Sequence, residues 1–301
     1  MVLAIAEKEI RQLRRSRIAL LLAAFFVFSV WRIASSANPI PGDGGSRGNR
    51  YTLLEQPETY DAVYAVFGFT AFSNHIHSFV FLVPILGLLL GYGAIVTPRE
   101  NGQLRTVFAL TCSRRTILLG KFLGRGLVLA AVIGMGMIIG WLIISAQFET
   151  AQIDAYTAFG IVTIGYGLVW LSFGIMLSSM FSTTRRVAAA VFTVFVGFTF
   201  NWHEIVIDLL GLFPVAHTVD PLQAYLIVSS ALYDDLHPLL HLESHEYVDG
   251  FGGVIGGTGV AEAAVEIPVY FTWPVAVVVL LLWILVPLAV TYDRLRKTTL
   301  T

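Results

Sequence analysis

The hydrophobic positions of this chain gather in long, nearly uninterrupted runs separated by polar segments. A helix needs about 20 apolar residues to cross the roughly 30 Å of hydrocarbon in a bilayer. Six runs reach or approach that length, and the first and fifth are the shortest. The pattern therefore predicts an all-α membrane protein with six transmembrane helices, over Ile18–Ala34, Ser78–Val96, Gly126–Ala146, Tyr156–Met180, Val187–Trp202 and Thr272–Tyr292.

The basic residues fall on alternate connections between these runs, and this bias indicates an orientation. All but three of the nineteen Lys and Arg residues lie on one side when the chain is threaded through six spans; the exceptions are Arg32, Arg47 and Arg50. Cationic flanks resist translocation, so the basic side is predicted to be cytoplasmic. We therefore expect a multi-pass protein of the cell membrane, in contact with the lipid bilayer, with both termini in the cytoplasm.

Composition agrees with a membrane protein and argues against several other classes. Hydrophobic residues make up 56% of the 301 residues, whereas soluble domains contain about 45–50% on a comparable count. Cys112 is the single cysteine, so no disulfide can form within the chain. The predicted spans lack the mid-membrane acid or base that an ion-driven carrier usually needs. Nothing in the sequence indicates a nucleic-acid partner.

Two segments outside the spans have predicted structure of their own. Residues 1–17 are amphipathic, with basic residues opposite an apolar stripe, which is typical of an interfacial helix in the head-group layer. Residues 203–271 are long for a connection and hold apolar stretches too short to span alone, so they predict a helical outer elaboration between spans five and six. The apolar stripe of the first segment consists of Leu3, Ile5, Ala6, Ile10 and Leu13.

The connection between spans two and three, residues 97–125, is the largest predicted cytoplasmic surface. Arg99–Leu110 has the pattern of a short amphipathic helix, although Asn101 and Gly102 interrupt its start. Ser113 is placed to cap a second helix that runs through Lys121 into the third span. A short helix is therefore predicted across the cytoplasmic mouth of the bundle.

This connection resembles the cytoplasmic loop of the ABC-2 type permeases, the membrane subunits of one class of ATP-driven transporter. The sequence departs from the family pattern at Gln103, which replaces a small hydroxyl residue, and before Ser113, where Thr-Cys replaces a Thr-Pro-like element. The resemblance covers nearly the whole chain and implies one ABC-2 type transmembrane domain over residues 1–301. The pattern Glu-x-Gly-(Thr/Ser)-Leu, Ser-Arg and Gly-Lys corresponds to Glu100, Gly102, Leu104, Ser113, Arg114, Gly120 and Lys121.

The resemblance implies that the loop contains a coupling helix that docks on a separate ATPase subunit. The chain contains no Gly-x-x-x-x-Gly-Lys-Ser/Thr motif, so ATP and Mg are expected in that partner and no cofactor in this chain. The chain itself is expected to be a transport subunit of an exporter, not an enzyme, together with a second, identical or similar permease. The residues expected to bind the ATPase are Arg99, Glu100, Gly102, Leu104, Arg105, Ser113 and Arg114.

The outer histidines support an alternative hypothesis, a metal-handling membrane module. His237, His241 and His245 are spaced four apart, so a helix would place them on one face, where neutral imidazoles can bind Zn or Cu. The simpler interpretation is a solvated helix rich in polar residues. A membrane-embedded hydrolase is disfavoured, because no Ser/His/Asp set and no metal-plus-base set converges at one depth.

Overall fold

Helices make up the regular structure of the residues that the structure describes. The computed structural model describes residues 1–36, 78–102, 113–147, 153–200, 219–230 and 272–297, and no strand occurs within these ranges. The prediction of an all-α protein is confirmed for them. In chain order the helices are α1 (Val2–Arg14), α2 (Arg17–Ser36), α3 (Ser78–Tyr92), α4 (Val96–Glu100), α5 (Arg114–Gln147), α6 (Ile153–Met180), α7 (Thr184–Phe200), α8 (Pro221–Ser230) and α9 (Trp273–Lys297).

Five helical stretches are long and apolar enough to cross a membrane. They coincide with five of the six predicted spans, which confirms a multi-span membrane protein. Helix α7 covers most of the predicted fifth span, but it has 17 residues, about 26 Å at 1.5 Å per residue. Because residues 201–218 lie outside the described part of the chain, a sixth span stays a prediction. The five stretches are Arg17–Ser35, Phe81–Glu100, Arg114–Ala146, Tyr156–Met180 and Trp273–Lys297.

Helix α5 is longer than a membrane span requires. Its 34 residues extend over about 51 Å, against roughly 30 Å of hydrocarbon. It begins at Arg114, directly after Ser113, as the predicted cap requires. The last part of the predicted 97–125 loop is therefore the first three turns of this helix, and these turns extend the third span beyond the bilayer core.

Helices α3 and α6 cross with their backbones in contact. A Cβ atom at Gly91 would lie 2.7 Å from the carbonyl oxygen of Leu171 and 2.8 Å from the Cα of Gly174, and one at Gly174 would lie 2.6 Å from the carbonyl oxygen of Leu88. Small residues allow this close approach between membrane helices. The crossing of α3 and α6 forms the centre of the bundle.

A short helix, α8, is buried between α6 and α9. Its Tyr225 ring stacks on Tyr166 of α6 with ring centroids 4.5 Å apart. Asp220 caps its start, because its Oδ1 atom accepts a hydrogen bond of 2.8 Å from the backbone N–H of Leu222. The region 203–271 thus contributes at least one helix to the bundle, and the rest of that region lies outside the described residues.

Helix α1 packs on α5 through a face that differs from the predicted apolar stripe. Ala6 is buried, as predicted, but Leu3 is 80% exposed. Glu9, which the stripe left out, is only 2% exposed. Helix α1 docks on the charged first turns of α5, so the face that it buries within the chain contains a carboxylate as well as apolar side chains. The interfacial position of α1 in the head-group layer stays a prediction.

Most of the basic side chains described by the structure meet at one end of the bundle, which we call the basic end. Hydrogen bonds and ion pairs join its segments to one another. The basic end comprises Val2–Arg17, Val96–Gly102, Ser113–Arg125, Phe181–Thr184 and Leu295–Lys297.

Candidate functional site at the basic end

The segment that enters the predicted coupling loop is tied to the connection between α6 and α7. Glu100 accepts a hydrogen bond of 2.9 Å from the backbone N–H of Thr184 and a second one from the Thr184 hydroxyl. Arg99 donates from Nη1 to the carbonyl oxygen of Phe181 at 3.0 Å. Thr184 begins α7, and the first N–H groups of a helix have no partner within it. The Glu100 carboxylate therefore caps a helix that lies far away in sequence.

A serine of α6 fixes the other end of the same short helix. The Ser178 Oγ atom is buried and accepts hydrogen bonds of 2.9 Å from the backbone N–H groups of Ile95 and Val96, at the start of α4. These bonds satisfy donors that the break between α3 and α4 leaves free. Helix α4 is thus held to α6 at its start and to the α6–α7 connection at its end.

Gly102 ends this segment with a left-handed backbone. Its φ angle is +69°, a conformation that glycine adopts without steric cost, and its N–H donates to the carbonyl oxygen of Arg99 at 3.2 Å. This turn confirms the interruption predicted at Asn101 and Gly102. Helix α4 ends at Glu100, and residues 103–110 of the predicted amphipathic helix lie outside the described residues. Leu104 and Arg105 lie outside the described residues.

The far end of the loop is tied to the end of α9. Ser113 Oγ accepts a hydrogen bond of 3.1 Å from the backbone N–H of Thr116, which confirms the predicted N-cap of α5. The Arg114 guanidinium donates to the carbonyl oxygens of Leu295 and Arg296, two of the last carbonyls of α9, which lack partners within that helix. The predicted partner-binding residues Ser113 and Arg114 thus make contacts within the chain.

The neighbouring Arg115 strengthens this junction between α5 and α9. Its Nε atom donates to the Tyr292 hydroxyl at 3.1 Å, and its guanidinium carbon lies 5.1 Å from the centroid of the same ring. A cation within about 6 Å of an aromatic ring is attracted by the ring quadrupole. The two adjacent arginines therefore hold the end of α9 against the first turn of α5.

A buried charge triad, formed by Glu9, Lys121 and Arg125, joins α1 to α5. Lys121 Nζ donates to Glu9 Oε1, and Arg125 Nε donates to Glu9 Oε2 at 2.8 Å. Arg125 Nη1 also donates to the carbonyl oxygen of Leu90 in α3. Burial alone would raise the pKa of the Glu9 carboxyl, but the charges and hydrogen bonds of Arg125 and Lys121 outweigh it and hold that pKa below its ordinary value. The carboxylate is therefore charged at neutral pH.

Two glycines of α5 make this docking possible. A Cβ atom at Gly120 would lie 2.7 Å from Cβ of Ile5, and one at Gly124 would lie 2.6 Å from the carbonyl oxygen of Ala6. Without side chains at these positions, α1 reaches the backbone of α5 and the Glu9 carboxylate reaches Lys121. In this chain, the Gly-Lys pair of the family pattern thus holds α1 on α5: Gly120 allows the close approach, and Lys121 binds Glu9.

Several residues of the site were missed from the sequence, among them Glu9, Ser178 and Thr184. An acid in a basic amphipathic helix has the pattern of a solvated residue, and a serine near the end of an apolar run has no distinguishing neighbours. Thr184, beside the basic pair Arg185–Arg186, had the pattern of a helix N-terminus, which was the one available signal.

The predicted metal ligands belong to the region between α8 and α9. His237, His241 and His245 lie outside the described residues, and the residues that the structure does describe contain no group of three or more His, Cys, Asp and Glu side chains able to hold a metal ion. The metal-handling hypothesis therefore stays a prediction.

The apolar helices, with their charged side chains joined at one end, define a multi-span membrane protein, and comparison with known proteins identifies its family. The model of the ABC-2 family transporter proteins matches residues 3–300. The chain therefore belongs to this family and is a membrane permease of it, as the resemblance at residues 97–125 predicted.

Two relatives carry the same description, probable ABC transporter permease protein NosY. The relative from Stutzerimonas stutzeri is 30% identical over 240 residues, which cover 76% of this chain and 82% of that protein. The relative from Pseudomonas aeruginosa is 31% identical over 193 residues, covering 63% of this chain and 66% of that protein. The similarity thus extends well beyond the loop motif.

Proposed function

We propose that the chain is the permease subunit of an ATP-driven exporter, in which hydrolysis of ATP with Mg in a separate subunit is coupled to movement of a substrate across the cell membrane. One observation carries this proposal: both anchors of the loop 103–112 are fixed to other helices. Gly102 follows α4, which is bonded to α6 and the start of α7, and Ser113 caps α5, which is bonded to α1 and α9.

These contacts give the loop a mechanical connection to both halves of the bundle. Through Glu100 and Ser178, a displacement of the entry side reaches α6 and α7. Through Arg114 and Arg125, a displacement of the exit side reaches α9, α1 and the end of α3. Packed helices move as rigid units between discrete arrangements. A partner that displaces this loop would therefore displace the spans that are bonded to its two ends.

The predicted partner-binding residues divide into those that hold the loop in position and those that contact the ATPase. Glu100, Arg99 and Arg114 already have partners within the chain, so they hold the loop in position. Leu104 and Arg105 are proposed to contact the ATPase, with Leu104 filling an apolar groove of that subunit and Arg105 setting the register. The family membership and the description of both relatives as ABC transporter permeases support an ATPase partner.

Coupling to an ATPase also requires a defined orientation of the chain in the membrane and assembly with a second permease. The basic end, with both termini, is proposed to face the cytoplasm, because cationic connections resist translocation. An ATPase can dock there only if the loop is cytoplasmic, so orientation and coupling are linked. A second permease copy, identical or similar, is proposed to complete the transporter.

The experiment is co-purification of the tagged full-length protein from its native membrane. Leu104→Asp should abolish association with the ATPase subunit while the protein remains inserted in the membrane. Leu3→Asp is the matched control, since Leu3 lies at the same end and is 80% exposed; it should retain the ATPase. Normal co-purification of the Leu104→Asp variant would contradict docking through this loop.

A further inference from the structure

A cavity of about 180 Å³ lies at the basic end, where α1 turns into α2 beside the junction of α3 and α4. A water molecule occupies about 30 Å³ of the liquid, so the cavity is large enough for a phosphate group and the atoms attached to it. Its wall includes one buried charged residue, Arg125, which is 5% exposed.

The wall of the cavity is polar on one side and apolar on the other. Gln12 and Ser16, from the end of α1 and the elbow after it, and Thr97 of α4 supply the polar side. Ile18 and Leu22, which follow along α2 into the first span, supply apolar surface with Leu89 of α3. A ligand that fills the cavity must therefore carry a polar group at the basic end and an apolar portion directed along the spans.

The charge of the buried triad indicates the sign of that polar group. Lys121 and Arg125 are two cations that share a single carboxylate, Glu9, among the described residues. Buried charge is costly unless it is compensated. The described contacts of Arg125 engage its Nε and Nη1 atoms, whereas a guanidinium offers five N–H donors. The arginine thus has donor capacity left for an anion.

We propose that this cavity binds an anionic phospholipid, with the phosphate on Arg125 and the first part of an acyl chain between Leu22 and Leu89. The Ser16 hydroxyl accepts the backbone N–H of Ala19 at 3.4 Å, and its own hydrogen remains available to donate to a phosphate oxygen. Arg14, Arg15 and Arg17, exposed around the elbow, attract anionic head groups to the entrance. A free phosphate would share the arginine but would leave the apolar side unfilled, so a lipid fits better.

The test is native mass spectrometry of the full-length protein titrated with phosphatidylglycerol and, separately, phosphatidylcholine. The wild type should retain one phosphatidylglycerol with an affinity about tenfold or more above that for phosphatidylcholine. Ala19→Phe, which places a ring in the cavity, should remove this bound lipid. Ala24→Phe, an exposed position on the same helix, should leave it bound.

Two further measurements test whether the charge of Arg125 selects the lipid and whether the ligand is a lipid or a soluble anion. The single variant Arg125→Gln keeps the Glu9–Lys121 ion pair and removes the net positive charge of the triad, so it should lose the preference for phosphatidylglycerol while remaining folded. Inorganic phosphate added in excess should not displace the lipid; displacement would assign the site to a soluble anion and overturn the proposal. Equal lipid retention by Ala19→Phe and Ala24→Phe would also overturn it.

Discussion

Glu100 and Thr184 are 84 positions apart, yet the carboxylate of one accepts two hydrogen bonds from the other. This contact makes the end of α4, which precedes the proposed coupling loop, part of the structure that begins α7. Glu100 belongs to the motif that identified the family resemblance. Within this chain its role is to cap a distant helix, so the motif preserves the geometry around the loop as well as any surface offered to a partner.

The first prediction concerns this cap. Glu100→Ala removes the acceptor of the Thr184 N–H, which becomes an unpaired donor at the start of α7. Hydrogen–deuterium exchange of the full-length protein in detergent should then be faster in peptides covering 181–187. Glu7→Ala, which removes another exposed acid at the basic end, should leave the exchange of these peptides unchanged. Equal exchange in the wild type and Glu100→Ala would show that the cap is not maintained in solution.

The second prediction concerns the buried charge triad. Glu9→Gln leaves Lys121 and Arg125 buried without a carboxylate, and removal of one partner from a buried ion pair costs about 3–5 kcal/mol. The free energy of unfolding, followed by titration with sodium dodecyl sulfate, should fall by an amount of that order. The control is Glu7→Gln, whose ion pair with Arg11 is exposed and should contribute little. A loss no larger than that of the control would contradict the triad.

The third prediction concerns the pH dependence of α1 docking. The folded protein holds the pKa of Glu9 below its ordinary value of 4.5, so the stabilising charge is present above pH 4.5 and is lost as the pH falls through the lower, folded value. Spin labels at Leu3→Cys and Leu119→Cys, in a Cys112→Ser background, report the distance between α1 and α5. The distance distribution should stay narrow from about pH 8 to pH 5 and broaden only below about pH 4.5. Broadening between pH 5 and pH 8 would contradict this assignment.

The fourth prediction compares two glycines within spans. Alanine at Gly91 would place Cβ 2.7 Å from the Leu171 carbonyl oxygen, whereas nothing lies within 4 Å of a Cβ at Gly134. Gly91→Ala should therefore destabilise the bundle by about 1–3 kcal/mol or more. Gly134→Ala should be neutral or stabilising, since alanine is favoured over glycine in a helix. The unfolding titration with sodium dodecyl sulfate distinguishes the two, and equal stability would contradict backbone contact between α3 and α6.

The spans could be predicted from the sequence because long apolar runs are a local property. The Ser113 cap and the turn at Gly102 were predictable for the same reason, since both depend on residues within a few positions. The buried face of α1 was not, because Glu9 finds its partners 112 and 116 positions away. An acid among basic residues has the same local pattern whether it is solvated or buried.

The interpretation of the loop motif was limited in the same way. Glu100 and Arg114 were assigned to a partner surface, because they belong to the motif that resembles the cytoplasmic loop of the ABC-2 type permeases. The structure gives each a partner in another helix. Only the three-dimensional arrangement brings α7 and the end of α9 to the loop, so these contacts have no signature in the residues of the loop itself.

The most direct test of the central claim uses Cys112, the single cysteine of the chain, which belongs to the segment 103–112 that is proposed to contact the ATPase. The protein in its native membrane is labelled with benzophenone maleimide, irradiated, and the cross-linked chain is identified by mass spectrometry. The account predicts an ATPase subunit with a Gly-x-x-x-x-Gly-Lys-Ser/Thr motif, cross-linked in the wild type, reduced in Leu104→Asp and absent in Cys112→Ser. Efficient labelling of Cys112 with no cross-link to an ATPase would contradict coupling through this loop.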